Sequence, residues 1–94
     1  MDKFSIEKYD SFFEAVLKLK SVEDCRRFFE DVMTIKELEA ITQRLEVASL
    51  LRSGKNYQEV SAMTGASTAT ISRVNKCLLY GDGGYALVLG NEDN

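Results

Sequence analysis

The stretch "NYQEVSAMTGASTATISRVNKCLLY", residues 56–80, decides the fold. Asn56, with Glu59 three residues on, is a capping signal, because each side chain can bond a backbone N–H that the other end of a first turn leaves free. It predicts a short helix over "YQEVSAMT" that stops at Gly65, a residue able to enter the left-handed region without a Cβ penalty. Ser67 then caps a second helix, from Thr68 to about Tyr80. The β-branched Thr70, Ile71 and Val74 lower its propensity, but the cap and the Ile71, Val74, Leu78 stripe outweigh them. A two-turn helix, a tight turn on glycine and a second helix with an aliphatic inner stripe make a helix-turn-helix, whose second helix enters the major groove of DNA. Val60 and Met63 are expected to reach inward toward Ile71 and Val74. Ser61 is small where the two helices approach, and Ala66 fits beneath the second.

Projected at 100° per residue, the second helix sets Ala69, Ser72, Arg73 and Lys76 opposite its apolar stripe, with Thr68 at the N-terminal tip. Short side chains let the backbone approach the base edges, the methyls of Thr68 and Ala69 can meet thymine methyls, and hydroxyls can bond bases or phosphates. Residues 66–80 carry Arg73 and Lys76 and no acid, so a locally positive face sits on a chain whose net charge is −3. Phosphate binding depends on the charges near the groove rather than on the total. The acid-free helix start also favours an anion through its dipole and free N–H groups. Tyr57 and Gln58 are further phosphate candidates, and Arg52 and Lys55 weaker ones; an ordinary solvated helix face is the alternative for all four.

Upstream, apolar residues keep helical spacing. Tyr9, Phe12, Phe13, Val16 and Leu17 form one stripe of a helix from about Ile6 to Lys20. Ser21 caps the next helix, whose expected buried face is Val22, Cys25, Phe28, Phe29, Val32 and Met33, with Arg26 and Arg27 outward. Thr34 and Glu37 offer another capping box for a long helix to about Ser53, buried through Leu38, Ile41, Leu45 and Ala48 and ended by Gly54. Downstream, "YALVL" at residues 85–89 reads equally as a short strand or a helical turn, and the final "NEDN" as frayed.

The 94 residues contain no proline to break the helical pattern, and a chain this small often completes its core with a second subunit. The absence of histidine removes the commonest general base, and no nucleophile elbow, phosphate loop or paired-carboxylate motif replaces it. An enzyme is therefore not expected. Cys25 and Cys77 lie far apart outside any CxxC motif, so neither zinc nor a disulfide framework is indicated, and no other cofactor is implied. No apolar run approaches membrane-spanning length and no secretory leader is evident, so the expected location is cytoplasmic.

The stretch "MTIKELEAITQRLEVASLLRSGKNYQEVSAMTGASTATISRVNKCL" resembles the Trp repressor family, in particular its YerC/YecD-type branch, and the likeness covers about Phe12 to Leu79. "TIKELEAITQR" and "GASTATISR" are its most specific words. The resemblance implies an all-α domain over residues 1–94. Residues 1–53 would supply dimerisation helices that interlock in a homodimer, 56–80 the helix-turn-helix, and 81–94 a tail. It implies double-stranded DNA as partner, contacted by Gln58, Ser67, Thr68, Ala69 and Ser72, in agreement with the projected face to which Arg73 and Lys76 belong. It also places Thr34, Arg44 and Arg73 at positions that hold tryptophan in the repressor. There the second arginine is followed by glycine, whereas this chain has Val74, and Cys77 stands where the repressor has a serine. A branched side chain where an indole must lie costs about 1–3 kcal/mol of overpacking. The expected function is thus a sequence-specific, repressor-like transcriptional regulator independent of tryptophan, its effector unknown; Arg44 can instead pair with a carboxylate such as Glu37, and Arg73 with phosphate. The alternatives are a helical protein-interaction module and a tryptophan-responsive repressor.

Overall fold

The computed structural model describes residues 6–90, and among them it contains six helices and no strand. These are α1 (Ile6–Val16), α2 (Val22–Val32), α3 (Ile35–Arg52), α4 (Tyr57–Thr64), α5 (Thr68–Tyr80) and α6 (Gly84–Leu89). Packing groups the chain into two compact units, 1–35 and 36–94. The expected fraying of "NEDN" lies outside the described residues.

In the first unit, α1 ends one turn before the expected Lys20. The Lys20 N–H bonds forward to the Asp24 carboxylate at 3.0 Å, while the Val16 carbonyl accepts from Leu19 in a tightened final turn. Ser21 caps α2 by accepting from the Asp24 N–H at 3.0 Å. Phe12, Phe13, Phe28 and Phe29 form a chain of ring contacts, with Phe12 stacked on Phe28 at 6.1 Å and Phe28 edge-on to Phe29 at 5.2 Å. The expected burial of the α2 stripe does not occur within the single chain. Phe28, Phe29 and Met33 are half-buried, but Val22, Cys25 and Val32 are exposed, as are Phe13 of α1 and Leu17 just beyond it. Two eleven-residue helices are too small to enclose each other's apolar stripes. Arg26 does face outward, in an ion pair with Glu23 at 2.8 Å.

The core sits in the second unit, built from Val47 and Ala48 of α3, Val60 of α4, Ala66 of the turn, and Ile71 and Val74 of α5. Each fully buried valine or isoleucine contributes roughly 1.5–3 kcal/mol relative to exposure. Leu50, Leu51, Leu78, Tyr85 and Leu89 close its edges. In α3 the expected stripe is corrected. Ala48 is buried and Leu38 half-buried, yet Ile41 and Leu45 are exposed and Val47 is buried instead. Only the C-terminal part of this 18-residue helix contributes to the core, so a single stripe along its whole length has no partner to match. Gly54 ends α3 at φ +97°, with Gly54 N–H bonded to Leu51 and Lys55 N–H to Leu50, a Schellman closure. The "YALVL" segment is helical, as α6, and turns Tyr85 and Leu89 onto the core while Leu87 and Val88 stay exposed.

Candidate nucleic-acid interface

The geometry begins with the two caps. Asn56 and Glu59 bond reciprocally, each at 2.9 Å, and start α4. Gly65 ends it at φ +77° and ψ +5°, with its N–H on the Ser61 carbonyl at 2.8 Å. Ser67 caps α5 by accepting from the Thr70 N–H at 3.1 Å. Between these caps Val60 and Ala66 are buried against Ile71 and Val74, so α4 and α5 share one core. Met63 does not join them: it is 61% exposed, because it lies three residues after Val60 on a two-turn helix whose inner line is already filled by Val60 and the turn.

With Ile71 and Val74 buried, helical geometry turns the opposite face of α5 outward. Thr68, Ala69, Ser72, Arg73 and Lys76 are all exposed, as is the cap Ser67. The first turn of α5 contains no acid. Gln58 is exposed in the first turn of α4. Arg52 is half-buried and donates from Nη2 to the Gly90 carbonyl, where it ties α3 to the end of α6 rather than offering a free cation.

The tryptophan-type positions are distributed as follows. Thr34 precedes α3 in the first unit; Arg44 is half-buried on α3, and Arg73 is exposed on α5. Val74, next to Arg73, is 2% exposed inside the core. A cavity of about 270 Å³ is lined by Arg52, Cys77, Leu78, Gly83, Tyr85 and Ala86, and so includes Cys77 but not Thr34, Arg44 or Arg73. No group of three or more His, Cys, Asp and Glu side chains suited to a metal occurs among the described residues. No helix among them is long and apolar enough to cross a membrane.

Sequence reasoning missed the hydroxyls around the turn. The Thr64 hydroxyl donates to the Val60 carbonyl at 2.7 Å and accepts from the Ala66 N–H at 3.1 Å. Ser61 donates to the Ala66 carbonyl at 2.9 Å, and Gln43 of α3 donates to the Thr64 carbonyl at 3.2 Å. The signal was Ser and Thr flanking a glycine turn, where short hydroxyls habitually bond nearby backbone.

The chain that forms this capped two-turn helix, left-handed glycine and acid-free second helix matches the family model described as Trp repressor protein over residues 7–93. The chain belongs to the Trp repressor family. Within it, the chain is 48% identical over 89 residues to the uncharacterized protein YerC of Bacillus subtilis (strain 168), covering 95% of this chain and 86% of that one. The crystal structure of a TrpR-like protein from Eubacterium eligens is 45% identical, covers 94% of both chains and superposes with a TM-score of 0.85. A solved structure from Staphylococcus aureus, 39% identical over 93% of this chain and 92% of that one, gives the same TM-score of 0.85. The chain is thus a YerC-type member of the Trp repressor family with an all-helical fold.

Proposed function

We propose that this protein is a dimeric, sequence-specific regulator of transcription in the cytoplasm that reads double-stranded DNA by laying α5 in the major groove. The observation that carries this reading is the division of α5: Ile71 and Val74 are buried, while Thr68, Ala69, Ser72, Arg73 and Lys76 are exposed on a face free of acids. Thr68, Ala69 and Ser72 contact base edges; Arg73, Lys76, Gln58 and the N–H groups beside Ser67 hold phosphates and set the register. Membership of the Trp repressor family supports the same reading.

The dimer is assigned to residues 1–53, where apolar residues of α1, α2, the first half of α3 and the turn after α1 are left exposed in the single chain at Phe13, Leu17, Val22, Val32, Ile35 and Ile41. A second copy covers them and brings two reading helices onto one duplex, so the bound site is two-fold symmetric. The buried Val74 favours regulation without tryptophan between Arg44 and Arg73. Catalysis and a cofactor have no part in this mechanism.

Selection of bound duplexes from a random pool tests it. Enrichment of a palindromic site, bound with an affinity that falls linearly on a log scale with salt, is the expected outcome. Recovery of no enriched sequence would favour the protein-interaction module, in which Phe12, Phe13, Phe28 and Phe29 bind a different chain.

A further inference from the structure

The turn between α4 and α5 is held by side chains as well as by its glycine. Ala66 is buried, and both of its backbone groups are bonded to hydroxyls: its N–H to Thr64 at 3.1 Å and its carbonyl to Ser61 at 2.9 Å. The Thr64 hydroxyl is anchored in turn on the Val60 carbonyl at 2.7 Å, and the Thr64 carbonyl accepts from Gln43 at 3.2 Å. A continuous path of part-buried hydrogen bonds therefore runs from α3, through the last turn of α4, to the residue that precedes the Ser67 cap of α5.

We infer that Gln43, Thr64 and Ser61 are positioning residues that lock α5 in its DNA-reading orientation with the chain's own groups, in place of a small-molecule effector. The inference rests on the reading of α5 as the recognition helix. Its physical basis is the placement of the bonds. Rotation of α5 about its N-terminus requires the Ala66 peptide to turn, and that motion breaks the Thr64 and Ser61 bonds together while Ile71 and Val74 hold the middle of the helix in the core. Breaking them leaves buried polar groups without partners, which costs more than the bonds themselves contribute. A reading helix fixed before binding loses less conformational freedom when it meets DNA. Val74 is consistent with this arrangement, because it fills the core beneath α5 with a side chain of that helix.

The test separates the lock from the DNA reading. Thr64→Val keeps the branched shape and removes the hydroxyl; Thr64→Ser keeps the hydroxyl. Amide hydrogen exchange on the free protein is measured first, with the buried Val47 and Ala48 amides as internal references. In Thr64→Val the Ala66 amide and the first turn of α5 are expected to exchange about five- to tenfold faster, the factor that one net hydrogen bond of typical strength implies, with the α3 references unchanged. Thr64→Ser restores slow exchange, and Ser61→Ala loosens the same amides. On duplex DNA, Thr64→Val is expected to lose about five- to tenfold in affinity for the selected site and little for random duplex, since the phosphate-facing charges are intact. Unchanged Ala66 exchange in Thr64→Val, equal acceleration at Val47 and Ala48, or failure of Thr64→Ser to restore the wild-type pattern overturns the lock. Wild-type protein that binds no duplex yet shows the exchange pattern refutes the DNA reading and leaves the hydrogen-bond lock standing.

Discussion

Replacing Gly65 by alanine isolates what the left-handed turn costs a side chain. The residue sits at φ +77° and ψ +5°, and a Cβ built there meets nothing within 4 Å, so no clash adds to the backbone term. Holding an L-residue with a Cβ in this region costs roughly 1–2 kcal/mol. Alanine recovers about 0.4–1 kcal/mol of this by restricting the unfolded chain. The net expectation is a loss of about 1 kcal/mol, which lowers the melting temperature by about 4–8 °C for a domain of this size. Asparagine, whose side chain tolerates the left-handed region, should lose about half as much. Urea and thermal unfolding at one fixed protein concentration measure both variants, because the melting point of an oligomer depends on concentration. An alanine variant as stable as wild type would refute the reasoning. It would mean that the turn relaxes out of the left-handed region and that Thr64 and Ser61, not Gly65, set its shape.

Thr68→Glu places an acid at the outward tip of α5 and should abolish binding to the selected duplex while circular dichroism and dimerisation are retained; unchanged affinity removes α5 from the interface. Lys76→Ala should weaken specific and random duplexes alike and flatten the salt dependence by about one unit of log K per log salt, measured by anisotropy titration. Phe13→Asp sets a charge into the stripe assigned to the second copy and should abolish both association and folding; a well-folded monomer by ultracentrifugation and circular dichroism contradicts that assignment. Tryptophan at millimolar concentration should leave the melting temperature unchanged, since a ligand stabilises only by binding the native state, and a clear rise would show that Val74 does not fill the indole's space.

The local grammar of this chain was legible from residue order alone. Asn56 with Glu59, Ser21, Ser67 and Gly65 act through neighbours three or four positions away, so the caps and the left-handed turn form where the sequence places them. The outward face of α5 was equally legible, because burying Ile71 and Val74 fixes the azimuth of every other residue on a rigid helix. Distances across the fold were not. Which of Ile41, Leu45 and Val47 is covered depends on where α4 and α5 lie against α3, and an apolar residue looks the same in sequence whether its partner is in this chain or another. Met63 was misplaced for a related reason: periodicity gives a line along a helix, while the number of residues on it that find a neighbour is set by how long the neighbouring surface is. "YALVL" became α6 through packing of Tyr85 and Leu89, which a five-residue pattern cannot resolve. Gln43 and Thr64 stand 21 positions apart, and Arg52 and Gly90 38 positions apart, so their bonds exist only because the tertiary structure brings those backbones within reach.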